Sequence, residues 1–355
     1  MQLAAPDPSA PPGDATTLGR SSDAMTELLH WAVEHSDPEK LKEVMRKYQE
    51  RNLTLKDVYG QDMIDAFFVN EGSVMQEAIK TISDFRNSSK SDADLEDALN
   101  RLHDLVYQVD QARNLHIMDG LRPLLELALS SERSAETGAL ALWTLGVAAQ
   151  NNMPVQADLL ALDGLRRLVG ELSRCDPGKR ELVPEDSAWC SKLLFAVSAM
   201  VKNNVTILDE ADSIGLFQWL LDVGLQHPSV AMAKKALGLL DTALSMQPEL
   251  SILKSLPARQ DALAETLLGL LQGRDGSYDQ DLPEKVLRLV NKLLSLRPLL
   301  FEPSFRPAFA AGTHAAVARC LAAMGEDREF CDGLAGLSRH ADLALAARDL
   351  ADEEL

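Results

Sequence analysis

The stretch Asp119-Gly-Leu-Arg-Pro-Leu-Leu-Glu-Leu-Ala-Leu decides the fold, because it returns at 163–173 as Asp163-Gly-Leu-Arg-Arg-Leu-Val-Gly-Glu-Leu-Ser. A fainter echo, IGLFQWLLDVG, begins at Ile214. Each copy precedes a longer run of helical periodicity: SAETGALALWTLGVAAQNN at 134–152, SAWCSKLLFAVSAMVKNN at 187–204 and SVAMAKKALGLLDTALSMQ at 229–247. Gly120 and Gly164 stand 44 residues apart, Asn152 and Asn204 52, and Asn204 and Gln247 43. The period holds if the second unit carries an extra loop, which Arg174-Cys-Asp-Pro-Gly-Lys-Arg-Glu-Leu-Val-Pro-Glu-Asp supplies.

A period in the low forties, with a short, a middle and a long helix per unit, is the pattern of armadillo and HEAT repeats. No strand-like alternation competes, so the expected fold is an all-α, right-handed armadillo/HEAT-like solenoid. Such units cannot bury their apolar faces alone and stack into one continuous core. At the paired Asp and Gly of 119–120 and 163–164, Asp is expected to cap a helix start and Gly to permit the bend between first and second helices. A fourth unit runs from Pro248 to about Arg297, with GRDGSYDQD at 273–281 inserted before its third helix. Beyond Pro298, the Ala-rich HAAVARCLAAMG and ADLALAARDLADEEL read as helices that close the end of the stack.

Working back toward the start, Met25 to Tyr48 shows two short amphipathic patterns broken at Asp37-Pro38, and Val74 to Ile82 reads as another helical turn. Asn87-Ser-Ser-Lys-Ser-Asp reads as a loop and helix start. Residues 1–24 hold four prolines and few sizeable apolar side chains, a composition that cannot offset its own ordering entropy. The division expected is therefore a 1–24 tail, a 25–91 helical region, repeats over 92–300 and capping helices over 301–355.

Composition narrows the function. Thirty-five basic against 54 acidic side chains leave a net charge of −19 over 355 residues, which argues against binding nucleic acid or anionic lipid and for meeting other proteins. No apolar run reaches the ~18–20 residues of a membrane span. Cys175, Cys190, Cys320 and Cys331 are widely spaced, with no CxxC pair, so neither a disulfide framework nor a zinc site is suggested. Residues 1–24 lack the basic start and apolar middle of a secretory leader. A cytoplasmic location with four thiols is the expectation, and on that expectation the acceptor patterns at Asn52, Asn87 and Asn204, and the terminal Asp352-Glu-Glu-Leu, carry no meaning.

None of the seven histidines (His30, His35, His103, His116, His227, His314, His340) pairs with a Cys, Glu or second His at metal-ligand spacing. Nucleophile-elbow and phosphate-loop motifs are missing too. The chain is thus expected to be a binding protein without enzyme activity, metal or cofactor. The residues that invite attention end the third helices: Gln150-Asn151-Asn152 and Lys202-Asn203-Asn204 occupy equivalent places. Helix capping accounts for one Asn per helix, since Asn tolerates the left-handed conformation. It does not ask for a Gln or Lys before two amides, and in armadillo stacks the third helices line the concave face. Capping and partner contact therefore stand side by side as readings.

Four segments, in order, resemble the armadillo-repeat nucleotide exchange factors of Hsp70 chaperones, the cytosolic Hsp70-binding-protein family. They are Met25-Thr-Glu-Leu-Leu-His-Trp-Ala-Val-Glu-His-Ser-Asp, the run from Val109 to Leu125 with Asp110, Ala112, Asn114 and Gly120, Ala149-Gln-Asn-Asn, and Lys235-Ala-Leu-Gly-Leu-Leu. The resemblance covers about 25–36 and 104–256 and leaves 37–90 unmatched. It implies a monomeric solenoid that clasps one lobe of the Hsp70 ATPase domain and distorts it, so that ADP leaves. Gln150, Asn151 and Asn152 match the family's amide cluster, Lys202 and Asn203 its basic-Asn pair, and Lys235 a basic position. Lys stands at 202 where the family usually has Arg, which keeps the charge and loses the bidentate fork. The alternative is a peptide-holding armadillo scaffold of the nuclear-import kind. Those scaffolds repeat a Trp with the Asn, whereas here Trp143 is followed by Phe195 in the next unit.

Overall fold

The structure, a computed structural model, describes residues 71–86, 91–273, 279–324 and 329–353, and 39, 42 and 46 singly. The 1–24 tail, the helical turns expected within 25–48 and most of the 53–85 stretch lie outside the described residues. Glu71 begins a compact unit that extends to the end of the chain. No strand occurs among its described residues.

Two helices lead in, α1 (Glu71–Ser83) and α2 (Asp92–Val106). Three-helix units follow: α3 (Val109–Ile117), α4 (Leu121–Ala128) and α5 (Ala135–Ala149); then α6 (Met153–Ala161), α7 (Gly164–Glu171) and α8 (Pro184–Val201). The third comprises α9 (Val205–Ser213), α10 (Leu216–Trp219) with a π turn at Leu220–Gly224, and α11 (Val230–Met246). The fourth comprises α12 (Ile252–Ser255), α13 (Gln260–Gln272) and α14 (Asp281–Leu296), before the closing helices α15 (Phe305–Met324) and α16 (Glu329–Glu353). The third helices pack in series, α2 on α5, α5 on α8, α8 on α11, α11 on α14 and α14 on α16. This all-helical stack shares one core that runs from Met75 to Leu345.

Sequence explains why the third helices form the spine. In α5 and α8 apolar residues fall on nearly every face: Ala141, Leu142, Leu145, Ala148 and Ala149 are buried in the first, and Leu193, Leu194, Ala196, Val197 and Met200 in the second. A helix apolar all round belongs inside a stack. Each fully buried Leu or Val contributes about 1.5–3 kcal/mol by area, and the small Ala and Gly positions let the axes approach. Starts are capped locally. Ser91 opens α2 with a capping box shared with Asp94, and the Ser134 hydroxyl accepts from the Thr137 N–H at 3.1 Å to open α5. Asp279 serves α14, accepting from the amides of Asp281 and Leu282 at 3.1 and 3.0 Å.

The Asp-Gly pairs work in the opposite sense to the one expected. Asp119 and Asp163 themselves adopt the left-handed conformation, at φ 56° and 55°, and the Asp163 side chain makes no capping bond. Asp tolerates that region better than most residues, so it makes the bend. The glycines after them are needed for space: a Cβ on Gly120 would stand 2.2 Å from Leu115 Cδ1, and one on Gly164 2.6 Å from the Leu159 carbonyl. In the third unit the roles merge, and Gly215 makes the bend itself at φ 81°.

The cysteines, expected as thiols, are paired instead. Cys175 is bonded to Cys190 and Cys320 to Cys331, with Cα atoms 5.7 and 5.8 Å apart. The first bond closes the inserted loop between the turn after α7 and α8; the second joins α15 to α16. All four sulfur-bearing residues are buried. The spacing hid the pairing because each bond spans a connection whose return path only the stacked helices define.

Candidate functional site

The repeated tripeptides are the turns between one third helix and the next first helix. In the first, Gln150 is the C-cap of α5, its N–H donating to the Val147 carbonyl at 3.2 Å. Asn151 takes the left-handed step at φ 55°, and Asn152 begins α6. Lys202, Asn203 (φ 61°) and Asn204 repeat this after α8, and the Asn204 carboxamide oxygen accepts from the Ile207 N–H at 3.3 Å. Capping therefore accounts for Asn151 and Asn203 by backbone conformation and for Asn204 by its side-chain bond, whereas the Asn152 side chain makes no capping bond.

Capping does not exhaust them. Asn203 Nδ2 donates to Asn151 Oδ1 at 2.8 Å on the exposed surface, so the two turns form a short ladder of side chains. Gln150 is exposed beside it and Lys202 half-buried. Asn152 differs: only 3% of it is accessible, and a residue so enclosed cannot belong to a contact surface. Lys235 lies on another part of the third-helix face, where its ammonium donates to Ser191 Oγ at 2.6 Å. The structure thus brings Gln150, Asn151, Lys202 and Asn203 together, groups Lys235 with α8, and puts Asn152 inside.

Beneath the ladder sits Gln156, which repetition does not single out in the sequence. Its buried Nε2 donates to the carbonyls of Ala149, Ala199 and Lys202 at 3.1, 3.0 and 3.3 Å, and its Oε1 accepts from Asn204 Nδ2 at 3.1 Å. One amide thereby ties the ends of α5 and α8 to the start of α9. A lone polar side chain beside Val155 and Leu159, both buried, was the available signal.

Within α5 and α8 themselves, the Lys192 ammonium lies 3.5 Å from the Trp143 ring centroid. Trp143 packs against His103 at 4.1 Å, and His103 meets Tyr107 edge-on at 4.9 Å. Burial pushes the His103 pKa below its usual 6.5, with Lys192 adding to the effect and Asp104 opposing it. Burial likewise lowers Lys192, Lys202 and Lys235; Lys285 adds to the shift at Lys202, and Lys192 and Lys234 add to that at Lys235. Lys234 is the contrast. Burial would lower it too, but Asp279 and Asp281 at 2.9 and 3.4 Å outweigh that and raise it. In the sequence, Lys235 and Lys285 stand equally far before the C-caps Gln247 and Arg297, a register that could have flagged this row.

Among the described residues no three His, Cys, Asp or Glu side chains gather to hold a metal ion, and no helix is long and apolar enough to cross a membrane.

The chain is similar to known proteins in three respects. A family model described as nucleotide exchange factor Fes1 matches residues 25–115, so the 37–90 stretch, which the resemblance leaves unmatched, falls inside the family's span. The Hsp70 nucleotide exchange factor FES1 of Coccidioides immitis (strain RS) is 26% identical over 193 residues, 54% of this chain and 83% of that protein. The fes1 protein of the same description from Schizosaccharomyces pombe is 30% identical over 158 residues, 44% of this chain and 50% of that one. Among solved structures, an engineered protein from the Northeast Structural Genomics Consortium is similar at a TM-score of 0.53 and 16% identity, covering 77% of this chain and 96% of that one, a likeness of fold alone.

Proposed function

We propose that this chain, a relative of the Fes1 nucleotide exchange factors, is a co-chaperone that binds the ATPase domain of an Hsp70 and promotes ADP release. The observation that carries the reading is the family match over 25–115, joined to relatives described as Hsp70 nucleotide exchange factors. On this reading it has no reaction or cofactor of its own, acts as a monomer, and divides as tail (1–24), N-terminal helical region (25–91), repeats (92–300) and capping helices (301–355).

The mechanism is differential affinity. An exchange factor speeds ADP loss only if it holds the opened ATPase domain better than the closed, nucleotide-bound one, and linkage then makes ADP weaken its binding equally. A spine packed like α5–α8–α11–α14 suits that task, because a dense core resists deformation and passes the strain to the partner. Gln150, Asn151, Asn203, Lys202 and Lys235 are the proposed contacts. Asn152, being enclosed, is left out of that set.

Release of a fluorescent ADP from an Hsp70 tests this. The unmutated chain accelerates release, and Lys202→Glu weakens the complex by about 2–5 kcal/mol without lowering its melting temperature. No acceleration by the unmutated chain removes the reading. A peptide-holding scaffold is not favoured: Trp143 is covered by Lys192, and Phe195 packs so closely on α5 that a side chain at Gly146 would strike its ring.

A cytoplasmic site of action, the expectation of the sequence, needs the four cysteines as thiols in the cell. The two disulfides favour an oxidising compartment instead. Alkylation of denatured protein taken from its own cells decides: four labelled cysteines place it in the cytoplasm, none in an oxidising lumen.

A further inference from the structure

Within a chain of net charge −19, many cations of the stack are held by carboxylates: Arg166 by Glu210, Arg180 by Asp186, Arg288 by Glu284 and Lys234 by Asp279. Four lysines on the third-helix face depart from that rule. Lys192 on α8, Lys235 on α11, Lys285 on α14 and Lys202 at the end of α8 are all half-buried, and none has a carboxylate within 4.0 Å among the described residues. Lys192 rests on the face of Trp143, and Lys235 donates only to the Ser191 hydroxyl. The like charges also act on one another, Lys192 lowering the pKa of Lys235 and Lys285 that of Lys202, in each case after the larger effect of burial.

Gathering like charges on a half-desolvated face opposes folding, and among the described residues only the Trp143 ring and the Ser191 hydroxyl offset it in part. Lysine stems often cover apolar surface while the ammonium reaches water. That role would be filled as well by methionine and does not call for four ammonium groups without a carboxylate partner. Charge complementarity identifies what would compensate them.

We infer that the row Lys192, Lys235, Lys285 and Lys202 is a docking face for a carboxylate-rich protein surface, with Trp143 and Ser191 holding Lys192 and Lys235 in place for it. The inference rests on the proposed function in one respect: the carboxylates would belong to the Hsp70 ATPase domain. It adds Lys192 and Lys285 to the contact set and makes recognition electrostatic. In the absence of partner the row is a cost to the solenoid; in the complex each ammonium gains a counter-charge.

The test uses the full chain and the double variant Lys192→Met/Lys285→Met, which keeps the stems and removes two charges. Three readouts are compared: the melting temperature, the affinity for an Hsp70 ATPase domain at low and high salt, and the affinity for a dye-labelled octaglutamate peptide with octaglutamine as control. The expected result is a melting temperature equal to or above that of the unmutated chain, at least a tenfold loss of affinity for the ATPase domain, a shallower salt dependence and loss of octaglutamate binding. An unmutated chain that accelerates ADP release while the variant stays within twofold overturns the inference and leaves the exchange function standing. If the unmutated chain does not engage the ATPase domain at all, the exchange function falls; octaglutamate binding that disappears in the variant then still supports the row, and equal binding by both proteins overturns it.

Discussion

The turn around Gln156 and the face around Lys235 are both built on the spine of third helices, and they treat polar groups oppositely. At the turn, Gln156 satisfies three carbonyls and an asparagine, and Asn203 satisfies Asn151. On the lysine face, ammonium groups meet a hydroxyl and an aromatic ring, with no carboxylate within 4.0 Å among the described residues. A polar group whose partners are all internal is explained by the fold. One left without a counter-charge, in a chain rich in carboxylates, points outward. The difference separates residues that hold the stack from residues that meet something.

The contrast breaks most visibly at Gln156. Gln156→Leu leaves the carbonyls of Ala149, Ala199 and Lys202 and the Asn204 amide without that partner. With about 1–3 kcal/mol for a buried group left unmade, a loss of about 3–5 kcal/mol is expected in urea unfolding, with binding per folded molecule kept. A loss below about 1 kcal/mol would show that the turn does not depend on this amide.

Next in size are the disulfides. Cys175→Ser with Cys190→Ser opens a loop with a sequence separation of 15, which a chain-entropy argument values at about 2–4 kcal/mol. Denaturant midpoints with and without reductant give the same comparison on the unmutated chain, and the double variant should lose its share of that reductant effect.

Asn151 sharpens the comparison because it belongs to both sides. At φ 55°, Asn151→Ala should cost about 1–2 kcal/mol from left-handed strain, while Asn151→Gly should cost far less. Both remove the amide that accepts from Asn203. If both weaken chaperone binding alike, the ladder is a contact; if neither does, Asn151 only turns the chain.

The smallest effect is a pH response. Burial holds the folded His103 pKa below 6.5, and the groups facing it are Asp104, Lys192, Tyr107 and Trp143. Between that lowered value and 6.5 the unfolded chain binds more protons, so stability from this residue falls as pH drops through 6.5 and stays lost below the folded value. His103→Phe should flatten the urea midpoint between pH 7.5 and 5.5, and an unaltered slope would assign the acid sensitivity elsewhere.

Much of the architecture was legible. The spacing of Asn152, Asn204 and Gln247 located three third helices, because a repeat must place like residues at like ends. The roles of Asp119 and Gly120 were not, since capping, bending and close packing draw on the same two residue types and only the position of Leu115 separates them. The cysteine pairs were hidden by inserted loops whose closure depends on neighbouring helices. At the surface, the amide turns showed through repetition. Gln156 did not, because one buried polar residue has no period, and the register of Lys235 with Lys285 gains meaning only once the acids around them are known to be elsewhere.

The bond between Cys320 and Cys331 has a consequence for how the stack comes apart. Stability in a linear array passes from neighbour to neighbour, and unravelling starts where the last unit has only one companion. With α15 clasped covalently to α16, the carboxyl-terminal boundary is denied that starting point. Fraying at that boundary must instead release α15 and α16 together, so that under heat or a pulling force the two clasped helices leave as one unit rather than one at a time.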